Sequence, residues 1–231
     1  MAAIDDYIRS LRNAFADWSD AEATRDRNAR DLPPADFDAR RDRYDRSVKE
    51  ARQTIRDHLQ TRVLRYGVHY DRHGSALDKF LDDAPYTSSA FIMTKYPAPG
   101  DDSDKAKTLQ KIMDLVSQAL RDAKLEPRIA KDATYHASTW DNVELHALGC
   151  CLGVAIAESH YLPEFNPNVA MEWGWMRAMG RPVIFLVEKD FKLRGDVEGL
   201  IREQFDWNDP EGTIPGAIEN AIATVKKAGL L

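Results

Sequence analysis

Three short apolar runs do most to limit what this chain can become: "SSAFIMT" from Ser88, "CCLGVAIAES" from Cys150 and "PVIFLVE" from Pro182. Each is too short to span a membrane and too evenly apolar for a strand with one wet face, so each reads as a strand buried on both sides. The segments between them carry helical spacing instead. In "AKTLQKIMDLVSQALRDA", Leu109, Ile112, Met113, Val116, Ala119 and Leu120 fall on one side. "STWDNVELHALG" predicts a short helix capped by Ser138 or Thr139, and "NPNVAMEWGWMRAMG" predicts another. "LEPRIA" is a weak strand that Pro127 assigns to a sheet edge. "LRGDVEGLIREQF" and "TIPGAIENAIATVKKAGLL" are expected to close the domain as two helices. Apolar strands alternating with helices specify an α/β fold, a doubly wound parallel sheet covered on both faces. Ligands of such sheets bind beyond the carboxyl ends of the strands, here the loops after Thr94, Ser159 and Glu188.

The grammar before this region is different. Residues 1–83 hold 17 acids and 16 bases out of 38 and 32 in the chain, dense but balanced. Ile4, Ile8, Leu11, Phe15 and Trp18 form one helical stripe; Tyr44, Val48, Ala51, Ile55, Leu59 and Val63 form a second. Pro33 and Pro34 in "DLPPAD" break the helix between them, so residues 1–83 read as an antiparallel helical hairpin and residues 88–231 as the α/β domain. Narrow seams of this kind need a cover. The hairpin either packs on its own second half, or on the helix near "SALDKFLDD", or joins other copies into a homo-oligomer.

Charge and cysteine usage exclude several classes. With a net charge of -6 the chain repels polyanions, which argues against direct nucleic-acid binding, and the interleaved Arg and Asp residues read as solvated faces. No apolar run has membrane-spanning length and the first residues lack the pattern of a secretory signal, so no membrane association and a cytoplasmic location are expected. Cys150 and Cys151, adjacent and alone, read as small buried residues. The histidines show no metal-ligand spacing, and no metal site is expected. The glycine patterns of a dinucleotide-redox fold, a P-loop and a serine nucleophile elbow are all missing.

One residue stands out of pattern. Glu172 is the sole carboxylate in the apolar stretch of residues 166–186. Asn166 is a good N-cap and Pro167 fits the first helical position, which puts Glu172 in the second turn of a helix that starts at the crevice. Helical side chains lean towards the N-terminus, so its carboxylate is expected to look into the crevice, kept ionised by the positive helix end. Val169, Trp173, Met176 and Gly180 are expected to face the sheet, with Trp175 on an adjacent edge. Gly174, costly within a helix, points to close approach of a backbone or ligand.

The order "AFIMTKYP", "DNVELHALGCCLGVAIAES", "NPNVAMEWGWMRAMGRPVIFL" resembles the nucleoside 2-deoxyribosyltransferase-like and TIR-like superfamily of bacterial nucleotide-processing domains. The resemblance covers residues 88–189 and is most specific over residues 166–186. It implies a flavodoxin-like fold in which Glu172 is the catalytic residue, either a nucleophile on the sugar or a support for cleavage of the bond between ribose and base. An oxocarbenium-like state suits such an acid. The chain departs from the pattern in having "EWG" for "ELG", and in placing Glu158 where a shorter acid often ends the preceding strand. The additional "SHYLPEF" supplies His160 and Tyr161.

Substrate-binding candidates are accordingly Tyr96 in the loop "KYPAPGDDSDK" for stacking, Asp141 for the base, Glu158 for ribose or proton transfer, His160, the helix-start residues Asn166 and Asn168, and Trp175. The implied activity is N-glycosidic cleavage of NAD⁺ or a related nucleotide, with NAD⁺ as substrate rather than cofactor and no cofactor required. The implied setting is a bacterial antiphage defence effector, oligomeric through its N-terminal helices, with a partner protein as trigger. A nucleotide-binding sensor and a TIR-like scaffold are the competing readings.

Overall fold

The structure is a computed structural model that describes residues 9, 11–13, 15–20, 23, 34–60, 64–160, 164–191 and 201–231. It forms two compact units, Met1–Ser75 and Ala76–Leu231.

In the first unit the described residues 15–20 are helical, and α1 spans Pro34–His58, opening on the proline that cannot continue an earlier helix. The two predicted stripes meet through their rings. Trp18 stacks on Tyr44 at 5.3 Å between centroids, and Phe15 lies 6.0 Å from Tyr44. Ala51 is buried, whereas Ile55 and Leu59 further along the same stripe are exposed. Ile4, Ile8, Pro33 and Val63 lie outside the described residues.

Helix α2, Val68–Asp83, carries Leu77, Phe80 and Leu81, all buried. The sheet follows, with β1 Ser89–Met93, β2 Glu126–Arg128, β3 Leu152–Ala157, β4 Val183–Glu188 and β5 Ile201–Phe205. All pairs are parallel and the order is β2-β1-β3-β4-β5, the flavodoxin-like doubly wound arrangement. Every residue of β1, β3 and β4 is buried, as their unbroken apolar sequences require, and the short proline-bearing β2 lies at one edge. Helices α3 (Asp104–Asp122) and α6 (Pro210–Lys227) pack together on one face; α4 (Thr139–Gly149) and α5 (Pro167–Ala178) pair on the other. The first layer is cemented by Leu109, Ile112, Val116 and Leu120 against Ile92, Val154 and Ile184.

Two expectations are corrected here. The end of "LRGDVEGLIREQF" is a strand, not a helix: residues 201–205 pair with β4 from Ile184↔Ile201 to Glu188↔Phe205. Burial along β5 alternates and ends on buried Phe205, the period of an edge strand, and the segment satisfies backbone groups that β4 would otherwise leave open. Residues 192–200 lie outside the described residues. Gly180 does not face the sheet. It is exposed with φ +71°, and the bonds Gly180 N–H to Arg177 O and Arg181 N–H to Met176 O make it the left-handed residue that ends α5.

Candidate functional site

The chain leaves β1 for β2 on one side and returns to β3 on the other, so the layers part at the carboxyl ends of β1 and β3. Three predicted residues sit there because the strands end there. Tyr96 follows β1 by three positions, and Glu158 and His160 follow β3 directly. Helix α5 starts from the same end, with Asn166 Oδ1 accepting the N–H of Asn168 at 2.9 Å and Pro167 at the first helical position.

Glu172 and Tyr96 belong to one electrostatic neighbourhood. Burial pushes the Tyr96 phenol well above its usual range, and the negative charges of Glu172 and then Asp132 push it further. Burial also raises Glu172, from an ordinary 4.5 to about 7. The expectation that the helix end keeps this carboxylate ionised is therefore overturned. The field of a helix terminus fades within the first turn, and Glu172 lies beyond it, so loss of water wins. A carboxyl half protonated near neutrality is suited to act as acid or as nucleophile. Tyr96 also lines a groove of ≈ 700 Å³ with Pro97, Pro99, Lys107 and Lys131, the Lys131 ammonium lying 5.5 Å from the ring centre. That volume is of the size that holds small ligands.

Glu158 is buried, and its Oε2 accepts the N–H of His160 at 2.6 Å, so part of its capacity shapes the turn after β3. The His160 ring does stack, but on the chain's own Trp207, 3.9 Å between centroids and 17° from parallel. Its Nε2 lies 2.9 Å from Glu188 Oε1, and Ser159 donates its N–H (3.0 Å) and hydroxyl (2.8 Å) to Glu188 Oε2. Glu188, Ser159 and Trp207 were absent from the sequence-derived candidates. The signal for Glu188 was present: an acid closing a buried strand at the crevice, the pattern that singled out Glu158.

The remaining candidates lie elsewhere. Asp141, in the first turn of α4, donates its backbone N–H to Ser138 Oγ at 3.3 Å and places Oδ2 3.4 Å from His136 Nδ1. Asn168 is exposed. Trp175 lines a different groove, ≈ 390 Å³, with Trp140, Met171, Gly174 and Ala178; the two indoles are 6.1 Å apart. No backbone approaches Gly174 closely, since a Cβ there would meet nothing within 4 Å. Trp173 turns its ring edge-on to Phe185 at 5.2 Å, so its bulk is spent on packing. Ser103 caps α3 by accepting the N–H of Ala106, which accounts for the start of the "DDSD" segment. Cys150 and Cys151 are both buried, and the Cys151 thiol donates to the Ser89 carbonyl at 3.4 Å. Tyr161 lies outside the described residues. Among the described residues no helix is long and apolar enough to cross a membrane.

No family model matches this chain. No curated protein matches it either. Among solved structures it is similar to a CMP N-glycosidase of Clostridium botulinum, with 17% identity over 57% of this chain and 97% of that one, at a TM-score of 0.39. It is also similar to a conserved protein of Enterococcus faecalis V583, with 16% identity over 58% and 98% of the two chains and the same TM-score of 0.39. The fold assignment rests on the strand order and register above.

Proposed function

We propose that the chain cleaves the N-glycosidic bond of a nucleotide, with Glu172 as the group that meets the sugar carbon. The observation that carries this reading is the position of Glu172: a half-buried carboxyl, raised to about 7 by burial, within electrostatic reach of a tyrosine that follows the end of β1. Loss of the base leaves positive charge on the ribose, and a carboxylate held in a site of low polarity stabilises that charge or traps it as an ester. Tyr96 and the groove beside it supply an aromatic face for the ligand. NAD⁺ is one substrate of this kind, and action as a nucleotide-depleting antiphage effector, assembled through the N-terminal helices and triggered by a partner protein, is the setting that the sequence resemblance implies.

The test is to incubate the protein with nucleosides, nucleotides and NAD⁺, follow base release by chromatography, and repeat it with Glu172→Gln. Release that disappears in the variant supports the reading. Stoichiometric binding without release would make the chain a sensor, and neither binding nor release would make it a scaffold. Light scattering on the same samples reports the assembly state.

A further inference from the structure

The chain leaves β2 through a turn, residues 129–132, closed by the Asp132 N–H donating to Ile129 O at 3.0 Å. Lys131 and Asp132 stand exposed on this turn, and both act on Tyr96. The Lys131 ammonium lies 5.5 Å from the ring centre, and the charge of Asp132 adds to burial and to Glu172 in raising the phenol. Lys131 and Tyr96 also line one groove, with Lys107 and Gln110. A cation over a ring that meets water gains too little to hold a long side chain in one place. Its place must therefore be set by the backbone that carries it.

One buried amide supplies that hold. Asn142 lies on α4 at 4% exposure, and its Nδ2 donates to Ala130 O at 2.8 Å and to Ala133 O at 2.9 Å. Those two carbonyls flank the Lys131–Asp132 pair, so a single side chain clamps the pair at both ends. Its Oδ1 accepts the N–H of Tyr135 at 2.8 Å. Both amide hydrogens are used, and only this orientation of the amide satisfies all three bonds. The clamp is itself anchored, since the Asn142 N–H donates to Ser138 O at 3.0 Å and its carbonyl accepts from Nδ1 of buried His146 at 2.7 Å. A buried amide is costly unless paired, and here every side-chain bond goes to the segment after β2 and none to α4.

We propose that Asn142 is a positioning residue of the candidate site: by clamping the turn after β2 it sets Lys131 against Tyr96 and so fixes the groove wall that a ligand meets. The inference rests on the reading of the Tyr96 groove as the ligand's aromatic face given above, and adds to it a residue that touches no ligand. Without the clamp the turn gains freedom, and a ligand must order it on binding.

Asn142→Asp is the discriminating variant, because its carboxylate still accepts the Tyr135 N–H but has no hydrogen for Ala130 O or Ala133 O. Asn142→Ala removes all three bonds without adding charge, and Lys131→Met removes the cation at an exposed position. The lysines of the full chain are dimethylated with isotope-labelled formaldehyde and their methyl signals followed by NMR, the Lys131 signal being the one that Lys131→Met lacks. The expected signal is displaced upfield by the Tyr96 ring and moves to the free-lysine position in Tyr96→Leu, Asn142→Asp and Asn142→Ala. Calorimetry with cytidine 5′-monophosphate and adenosine 5′-monophosphate is expected to show binding weakened about tenfold in both Asn142 variants and in Lys131→Met. A Lys131 signal that stays displaced in the folded Asn142 variants, or affinities there within about twofold of wild type, would overturn the proposal while the functional reading stands. Should neither Asn142 variant fold, a wild-type Lys131 signal at the free-lysine position, or a Lys131→Met chain that binds as wild type does, overturns it all the same. A wild-type chain that binds neither nucleotide would overturn the reading of the groove and this proposal with it.

Discussion

Glu172 and His146 are both polar groups pressed out of water, and their titrations act on stability in opposite directions. The folded pKa of Glu172, about 7, lies above its ordinary 4.5, so its contribution to stability is complete below pH 4.5 and is lost as pH rises through 7. Glu172→Gln removes that loss, and thermal melts at pH 8 should show the variant more stable than wild type by about 1–3 kcal/mol, with the difference shrinking towards pH 5. An equal or lower stability at pH 8 would mean that the carboxyl is solvated. His146 is fully buried, and burial lowers it from 6.5 to about 4, with the Asn142 carbonyl opposing this and the charge of Arg128 adding to it. It is neutral in the fold, so stability falls as pH drops from about 6.5 towards 4, by up to roughly 3 kcal/mol. His146→Gln cannot take the proton, and urea titrations from pH 7 to 4 should show this part of the slope vanish in the variant. At this scale the sequence carried Glu172 by its isolation in an apolar helix and the capping of α5 by Asn166. It did not carry the sign of the pKa shift, because burial depends on neighbours distant in the chain.

At the scale of elements, long one-sided patterns were legible and short mixed ones were not. The apolar side of α3 and the uniform burial of β1, β3 and β4 follow directly from their residue order. Strand β5, five residues with alternate positions in water, has too few apolar residues for its period to show, and tertiary pairing with β4 decides it. The junction of α4 with α2 shows what else local patterns omit. A Cβ on Gly149 would lie 2.3 Å from Phe80 Cε1, and that ring is clamped by the Arg128 guanidinium at 4.0 Å and by the edge of His146. Gly149→Ala must displace a packed aromatic ring, and a loss of about 1–3 kcal/mol is expected in denaturant unfolding. A change below about 0.5 kcal/mol would show that Phe80 yields freely.

For the whole molecule, the change of hydrophobic period at residue 88 is the sequence feature that bears on domain organisation, and the two compact units divide earlier, between Ser75 and Ala76. Among the described residues of the predicted stripes, Phe15 is 51% exposed, Ile55 37% and Leu59 45%. Self-association along this seam is expected to appear in light scattering as an oligomer that Phe15→Glu with Leu59→Glu reduces to a monomer; an unchanged mass would assign the seam no role in assembly. The central claim, that the half-buried carboxyl of Glu172 is the reacting group, is tested most directly by the pH profile of base release. Acting as a nucleophile it must be ionised, so kcat/KM should rise about tenfold per pH unit below its pKa of about 7 and level off above it, and Glu172→Gln should be inactive throughout. A profile that is flat from pH 5 to 8, or a Glu172→Gln variant that still releases base, would contradict the account.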